Sequence, residues 1–592
     1  MTDLQKNNEV AEGYERPAYL SIFGMRIDLR LTLGVVFLLA LGLRLLYLYD
    51  ISDHVFFRQL LVDQASYDQW AREIASGDWI GEKTFYQDPL YPYFVAGIYS
   101  LFGRNLTLVY VIQALMSALC IFPIYGMGRR VFNDPRVGIL AAIFWGAYKV
   151  SFFYDAQVLK TSPGMALLIL CLWLIILVRD RPEIIYALGA GLASGLLFVF
   201  RGNFLAVIPF VFAWLAWDLW KRTGKSALSA LIAFMMGCSL MLSVVVIRNY
   251  KVSGELVLTT AQGGVNFYVG NFRRNRWGAG KDPDFARRTP VYERDDFAAE
   301  AKRRAGRELS PKELDRFWYR EGLSEIKAAP GLFITRLGRK TLLILNRHEV
   351  SDNLNYDFFL ERISWMLRLP YPAFWLAGPF GMAGVALALR RRKGAPLVIY
   401  LATYSATLLA FYVVGRYRMP LVPVLLLFAA FGLVTVIDSI ASRDRKVLAI
   451  YASVFVIAFA LGYPEWQPPM YDDSYQKMGH AYMNEGKWSE AIHSYEQAVA
   501  LNPVFGQAWL GMGIALERRH RWDEALNAFI HAADADPEFA PARYLLGRSL
   551  ERKGLVEEAI AEYVLAVRLD PEFEKAQKAL EKLRRPGENF PP

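Results

Sequence analysis

Between residues 31 and 463 the chain repeatedly strings together about 20 apolar residues, the length a helix needs to cross a bilayer. In lipid such a run must satisfy every backbone N–H and C=O within itself, which restricts it to helices or a closed barrel. Runs beginning near Leu31, Leu106, Val137, Thr161, Ile184, Asn203, Leu228, Tyr371, Pro396, Pro420 and Val447 predict about eleven helical spans. The 54% hydrophobic content agrees with this and not with an ordinary soluble domain. The net charge of +10 raises the question of nucleic acid, but the basic residues sit in short clusters between apolar runs: GRRVFNDPR (128–136), RDRPE (179–183), KRTGK (221–225), RRRKG (390–394) and SRDRK (442–446). Together these hold fifteen Lys and Arg against four Asp and Glu. With a cytoplasmic N-terminus all five fall on the cytoplasmic side, as the positive-inside rule requires. Topology therefore accounts for the charge, and no nucleic-acid-binding module or continuous basic face is present.

The remaining segments, 50–105, 154–160, 201–202, 248–370, 415–418 and everything after about 462, are then expected on the opposite face. Residues 1–30 are polar and no small-residue cleavage site follows the first run, so it reads as a retained span after a cytoplasmic segment. Cys120, Cys171 and Cys238 all lie in apolar runs, where they predict small buried or lipid-facing groups and neither a disulfide framework nor a metal site.

After Asp472 the hydropathy changes and a period of 34 residues appears. Gly479, Gly513 and Gly547 repeat at that interval, as do Ala491, Ala525 and Ala559, and Pro503, Pro537 and Pro571. Tyr495, Phe529 and Tyr563 follow the same rule, with Ala498, Ala532 and Ala566. Small residues let paired helices cross closely, aromatics fill the gap, and proline ends each unit. The pattern resembles the tetratricopeptide repeat, with three copies over 472–592 and a solvating helix near 573–583. Such arrays grip proteins or peptides; a self-association or purely stabilising role is the alternative. A Pro-rich linker (464–471) joins the array to the last span, and the odd span count puts the repeats on the outer face.

In the segment LVDQASYDQWAREIASGDW (61–79), Asp63, Tyr67 and Ala71 stand at i, i+4 and i+8, one face of a helix. FYQDPLYPYFVAGIYSLFG then predicts an extended proline turn and a short apolar helix. By spacing alone Asp63 is equally an N-cap. The segment 273–326 is charged and patterned as amphipathic helices that cover the site as a loop, its charges a solvated face. His54 and His348 are isolated and read as hydrogen-bonded surface histidines.

The first outer loop, with D-x-x-x-Y-x-x-x-A, PLYPYF and FG, resembles that of the GT-C glycosyltransferases, in the branch of the protein O-mannosyltransferases and the bacterial aminoarabinose transferases of lipid A. GRRVF after the second span, FRGN (200–203), RNYKVSGELVLTTAQGGVNFYVGN (248–271), the E-x-x-x-N of HEVSDN and GRYRMPLVP (415–423) continue the resemblance in order over roughly 30–440. It implies a mainly α, polytopic GT-C fold over 31–463, with outer loops 50–105 and 248–370 and amphipathic helices on the outer face. It also implies an inverting membrane glycosyltransferase of the bacterial inner membrane. The enzyme would move a sugar from a polyprenyl-phosphate donor, drawn from the membrane lipid, to a protein, lipid or glycan on the periplasmic side.

Asp63 matches the family's general base, and Asp155 in FFYDAQVLKTS is the candidate second acid, helix capping or pairing with Lys160 being its alternative. A leaving phosphate needs cations, for which Arg416, Arg418, Arg201, Arg248 and Lys160 are the candidates; anchoring of helix ends is the bland reading for the arginines. Tyr67 and Trp70 are expected in the sugar pocket, with Asn266, Asn271 and Glu349; the glycine-rich stretch around Asn266 reads equally as an ordinary strand-turn. Members of the superfamily differ in needing a divalent metal, and no ligand set is visible here. The repeats favour a protein acceptor or an assembly partner. The competing class is a catalytically silent membrane scaffold presenting the repeats; a transporter is disfavoured by the absence of repeated halves or paired charges inside the spans.

Overall fold

The computed structural model describes residues 19–22, 25–286, 290–467 and 470–583. Among them the structure is almost wholly helical, apart from an antiparallel hairpin, Tyr19–Ile22 with Met25–Asp28, in what the sequence presents as a plain polar lead-in. The chain divides into two compact units.

The first unit holds Met1–Ile51, Val62–Asp352 and Ser364–Pro468. All eleven apolar runs fold as helix here, but they do not all reach spanning length. Six stretches are long and apolar enough to cross a membrane: Leu29–Ile51, Leu106–Phe132, Thr161–Asp180, Ile208–Ser253, Gly415–Ala441 and Arg445–Gly462. A seventh forms if Pro135–Gly146 and Lys149–Asp155, bent by 52°, count as one. Ile184–Phe200, Phe374–Arg390 and Ala395–Ala410 are shorter, and Ile208–Ser253 is a single stretch interrupted at Gly224, where φ is +60°. The apolar runs overcount helix length because several include the non-helical residues that precede or follow the helix.

Small residues set the closest crossings. A methyl added at Gly191 would overlap the Phe234 carbonyl, and one at Gly195 would sit 2.8 Å from the Cys238 carbonyl, so Ile184–Phe200 lies backbone to backbone against Ala227–Ser253. In the first span Arg44 is fully buried, and its Nε donates to Asp155 Oδ2 at 3.0 Å. Its other donors reach Ser151 Oγ and the carbonyls of Ala40 and Gly146. An ion in that position needs such a set of partners.

The loops between these helices carry shorter helices: Asp63–Ala75, Leu90–Phe102, Gly263–Asn271, Pro290–Ala305, Pro311–Ala328 and Pro330–Leu345. The charged segment is more than a cover. Tyr268, Phe272, Phe297 and fully buried Trp318 form a core of their own beneath it. Ser310 and Glu313 close a capping box at the start of Pro311–Ala328.

The second unit holds Ser52–Leu61, Asn353–Ile363 and Pro469–Pro592. Six repeat helices, Tyr471–Asn484, Trp488–Leu501, Gly506–Arg518, Trp522–Ala535, Ala540–Arg552 and Val556–Leu569, pack pairwise and are closed by Glu574–Leu583. The period has a direct physical cause. A methyl at Gly479 would meet the Tyr495 ring at 2.9 Å, at Gly513 the Phe529 ring at 2.5 Å, and at Gly547 the Tyr563 ring at 2.8 Å. Two short loop segments join this unit, which the domain boundaries read from the sequence do not include. The Phe358 ring lies edge-on to Tyr475 at 4.9 Å, and Arg58 Nε pairs with Glu485 Oε1 at 3.1 Å.

Because the Phe529 ring is fully buried and cannot retreat, Gly513→Val is expected to destabilise the array by about 1–3 kcal/mol. Limited proteolysis of the full chain checks this: cleavage within 470–583 should accelerate, and unchanged cleavage would contradict it.

Candidate active site

Asp63 is the first residue of Asp63–Ala75, and the N-cap position falls to Val62. The preceding Val62 has φ +52°, unusual for a β-branched residue and worth roughly 1–3 kcal/mol of strain. The helix is held by its polar face. Gln64 Oε1 accepts the Val158 N–H at 3.1 Å, while Asp68 accepts from the Tyr99 hydroxyl at 2.7 Å and from Arg104 Nε at 2.9 Å. The predicted face is the buried one: Asp63, Tyr67 and Ala71 are all inside.

The Asp63 carboxylate is ion-paired through Oδ2 to Arg416 Nη1, and its Oδ1 accepts from Gln87 Nε2 at 3.5 Å. The buried Arg416 guanidinium pairs through Nε with a second carboxylate, Asp352. Gly415, one residue before, donates its N–H to the Val350 carbonyl at 2.9 Å. A side chain at Gly415 would strike the Tyr154 hydroxyl at 2.8 Å and Glu349 Oε2 at 2.9 Å, so only glycine lets this turn approach.

Arg201, the C-cap of Ile184–Phe200, is buried beside this pair. Its Nη1 and Nη2 lie 3.5 Å from the Arg416 carbonyl, the guanidinium adjoins the Tyr404 hydroxyl and stands over the Tyr417 ring at 5.8 Å, and its Nε has no hydrogen-bond partner among the described residues. A buried guanidinium so thinly satisfied is poised for an anion. Lys160 is ion-paired to Asp88, whose Oδ1 also accepts the Gly202 N–H at 3.1 Å, tying Lys160 to the Arg201 turn. Tyr67 lies in the field of this group. Burial first of all pushes its phenol up to about 12, with Lys160 opposing and Asp63 adding to the shift.

The other predicted residues are placed elsewhere or engaged otherwise. Arg418 pairs with Glu349 Oε1 at 2.7 Å, and its Nη1 bonds the Asn346 carbonyl that ends Pro330–Leu345; both side chains belong to a buried brace. Arg248 donates to the Ile80 carbonyl, 2.7 Å from Nε, and stacks on Phe85. Asp155 is taken by Arg44 and Ser162, not by Lys160. Trp70 packs against Phe85 at 5.5 Å between ring centroids. Asn271 donates to the Phe267 and Ala410 carbonyls, and Asn266 accepts from the Tyr412 hydroxyl at 3.3 Å. The glycine-rich stretch that holds both is neither loop nor strand. Gly263–Asn271 is a helix, because its glycines let it press against Pro311–Ala328 at Asp315. His54 caps a four-residue helix, accepting from the Phe56 N–H, and His348 accepts from Arg347 Nε. Among the described residues no group of three or more His, Cys, Asp or Glu is arranged to hold a metal ion.

Over residues 86–247 the chain matches the family model described as dolichyl-phosphate-mannose-protein mannosyltransferase. Residues 477–537 and 510–572 match the tetratricopeptide repeat. Among curated proteins, the undecaprenyl phosphate-alpha-4-amino-4-deoxy-L-arabinose arabinosyl transferase 2 of Pseudomonas fluorescens Pf-5 is 26% identical over 217 residues, covering 35% of this chain and 36% of the relative. The corresponding transferase of Pseudomonas aeruginosa LESB58 is 25% identical over 215 residues, covering 34% and 38%. The chain thus spans a little over a third of the length of these relatives. Among solved structures the Arabidopsis OM64 TPR domain is 22% identical, covering 19% of this chain and 93% of that one, with a TM-score of 0.19. The mannosyltransferase-family segment contains Asp88, Asp155, Lys160 and Arg201; Asp63, Glu349, Asp352, Arg416 and Arg418 lie outside it in sequence.

Three members of the cluster escape a reading of the sequence alone. Asp88 stands inside the proline turn and Asp352 inside HEVSDN, each next to residues singled out for other reasons. Glu293, coupled electrostatically to Asp63, is one acid among many in the charged segment.

The geometry separates the arginines by role. Arg418→Met should remove the buried ion pair with Glu349 and the guanidinium's bonds to the Asn346 and His348 carbonyls and cost about 3–5 kcal/mol, seen as a lowered thermal midpoint of the solubilised chain. Arg201→Met should lower that midpoint far less, since its hydrogen bonds to the Arg416 carbonyl are long and it is ion-paired to no carboxylate among the described residues. Equal destabilisation by both would contradict the distinction.

Proposed function

We propose that this chain is an inverting glycosyltransferase of a bacterial inner membrane that moves a sugar from a polyprenyl-phosphate donor to an acceptor on the periplasmic face. The observation that carries the reading is the Asp63–Arg416 pair with the under-satisfied Arg201 beside it: a carboxylate and a spare cation in one buried cluster. The relatives' names support the donor class, since each acts with undecaprenyl phosphate carrying a sugar.

In this reading the donor phosphate binds Arg201 and Lys160 and competes with Asp63 and Asp352 for Arg416. A guanidinium matches phosphate in a bidentate fashion, so exchanging one anion for another keeps the buried cation paired throughout. Released from Arg416, Asp63 takes the acceptor's O–H proton as the acceptor oxygen attacks the anomeric carbon. The C–O bond to phosphate breaks with its electron pair staying on the phosphate, whose added charge the cations hold. No protonating acid is needed, in contrast to glycoside hydrolysis. Tyr67 borders the cluster and is the best placed of the predicted sugar-pocket residues. The repeats hold the acceptor protein or a partner on the same side. Their unit includes Ser52–Leu61 and Asn353–Ile363, which in sequence adjoin the outer-loop residues Asp63 and Asp352.

Asp63→Asn keeps the shape and removes the basicity. Transfer in membranes carrying a polyprenyl-phosphate sugar should fall by roughly 100- to 10,000-fold while the chain stays folded, Asp352 remaining as the counter-ion of Arg416. Full transfer by this variant would refute the assignment and favour a silent scaffold.

A further inference from the structure

The apolar helix Thr161–Asp180 has Lys160, a member of the cluster around Arg201, at its N-cap. Arg179, near its other end, stands roughly 28 Å further along the axis at 1.5 Å per residue, at the opposite boundary of the span. There a cavity of about 340 Å³ opens between this helix, Ile208–Thr223 and the turn that leads into Ala395–Ala410. The proposed reaction makes no use of it.

The cavity walls carry three cations, Arg179, Arg392 and Lys393, against one carboxylate, Asp218, with Trp214 and Trp217 beside them. Asp218 is shared: it accepts from Arg179 Nε at 3.3 Å and pairs with Arg222 Nε at 3.1 Å. Neither Nη1 nor Nη2 of Arg179 makes a hydrogen bond among the described residues, and the guanidinium lies over the Trp214 ring at 5.8 Å. Arg392 is exposed and has no hydrogen bond or ion pair among the described residues. Lys393 Nζ donates to the Phe132 carbonyl at 3.0 Å, which fastens the turn to the end of Ile121–Phe132. Two arginine forks with donors unspent, at a cavity of net positive charge, match the oxygens of a phosphate ester.

The surroundings point to a lipid as the source of that phosphate. Phe210, Ala213 and Trp217 stand at i, i+3 and i+7 on Ile208–Thr223 and are all exposed, a face that runs from the cavity into the length of the span. Lipid chains cover such a face, and tryptophan and arginine at its end are the side chains that meet headgroups.

We propose that this cavity binds the phosphate of an anionic membrane lipid, with Arg179 and Arg392 on the phosphate oxygens and an acyl chain along Phe210 and Trp217. The site stands apart from the Asp63 cluster and does not depend on the reaction assigned to it.

Native mass spectrometry of the full chain in detergent, titrated with dioleoyl phosphatidylglycerol, tests this. One saturable lipid is expected, bound roughly tenfold tighter than dioleoyl phosphatidylcholine, whose phosphate charge is offset by its own ammonium. Arg392→Gln, at an exposed side chain, should weaken binding roughly fivefold, and Arg179→Gln combined with it roughly 25-fold. Should the double variant not fold, Arg392→Gln decides alone. Lys225→Gln removes an exposed cation just beyond the same helix and outside the cavity, and should leave the affinity unchanged. Glycerol phosphate, the soluble headgroup, should fail to displace the lipid. Unchanged affinity in Arg392→Gln, an equal loss in Lys225→Gln, or equal binding of the zwitterionic lipid overturns the inference. Displacement by glycerol phosphate overturns the lipid as occupant.

Discussion

The buried guanidinium of Arg416 organises the end of the first unit where Asp63–Ala75 and the turn Gly415–Arg418 meet. Burying such a cation is tolerable only if it is paired and its hydrogen-bonding capacity used. Asp63 and Asp352 supply the charge, from chain positions on either side of most of the apolar helices. The pairing fixes the start of Asp63–Ala75, and with it the buried row Asp63, Tyr67, Ala71. It also orients the turn Gly415–Arg418 at the head of a long buried helix. Gly415 to Val350, Arg416 to Asp352 and Arg418 to Glu349 fasten that turn to 349–352 at successive points. The Arg418–Glu349 pair is the brace, the Arg416 cluster the exchangeable part.

The difference between those two pairs is chemical. Arg418 spends its donors on backbone carbonyls at a helix end as well as on Glu349, so an incoming anion would have to break several bonds to reach it. Arg416 is paired with two carboxylates, Asp63 and Asp352, and a phosphate replaces a carboxylate with little change in charge. Arg201 adds a cation whose present contacts are weak, and Lys160 adds another through Asp88. A site that binds an anionic donor and uses a carboxylate as base has to keep its cations from quenching that base during the reaction. In the proposed reaction, exchange of partners on Arg416 would do this without leaving any charge bare.

Much of the fold is legible in the amino-acid order. The 34-residue period reflects a glycine facing an aromatic ring in every repeat, and the amphipathic face of 63–75 is the buried one. Asp63 stands out because an acid at a membrane boundary is costly without a partner, and the GRYR turn because arginines at a boundary expected on the outer face run against the positive-inside bias. Span number is less legible, since an apolar run does not reveal where glycine or a loop ends the helix. Of the readings the sequence leaves open for Asp155, pairing with Lys160 is not the one the structure shows; its partners are Arg44 and Ser162. An arginine inside an apolar run demands a buried counter-ion, and Arg44 could have pointed to Asp155 on that ground. Asp352 and Glu293 carry no such signal: their partners lie tens to hundreds of residues away, and spacing is silent on pairs made by tertiary folding.

The most direct measurement is a structure of the full chain in lipid with undecaprenyl phosphate bound. The account predicts phosphate oxygens within hydrogen-bond distance of both Arg201 and Arg416, with the Asp63 carboxylate released from Arg416 and facing the vacated sugar position. A phosphate bound away from those guanidinium groups, or bound beside them with the Asp63–Arg416 pair still closed, would contradict it.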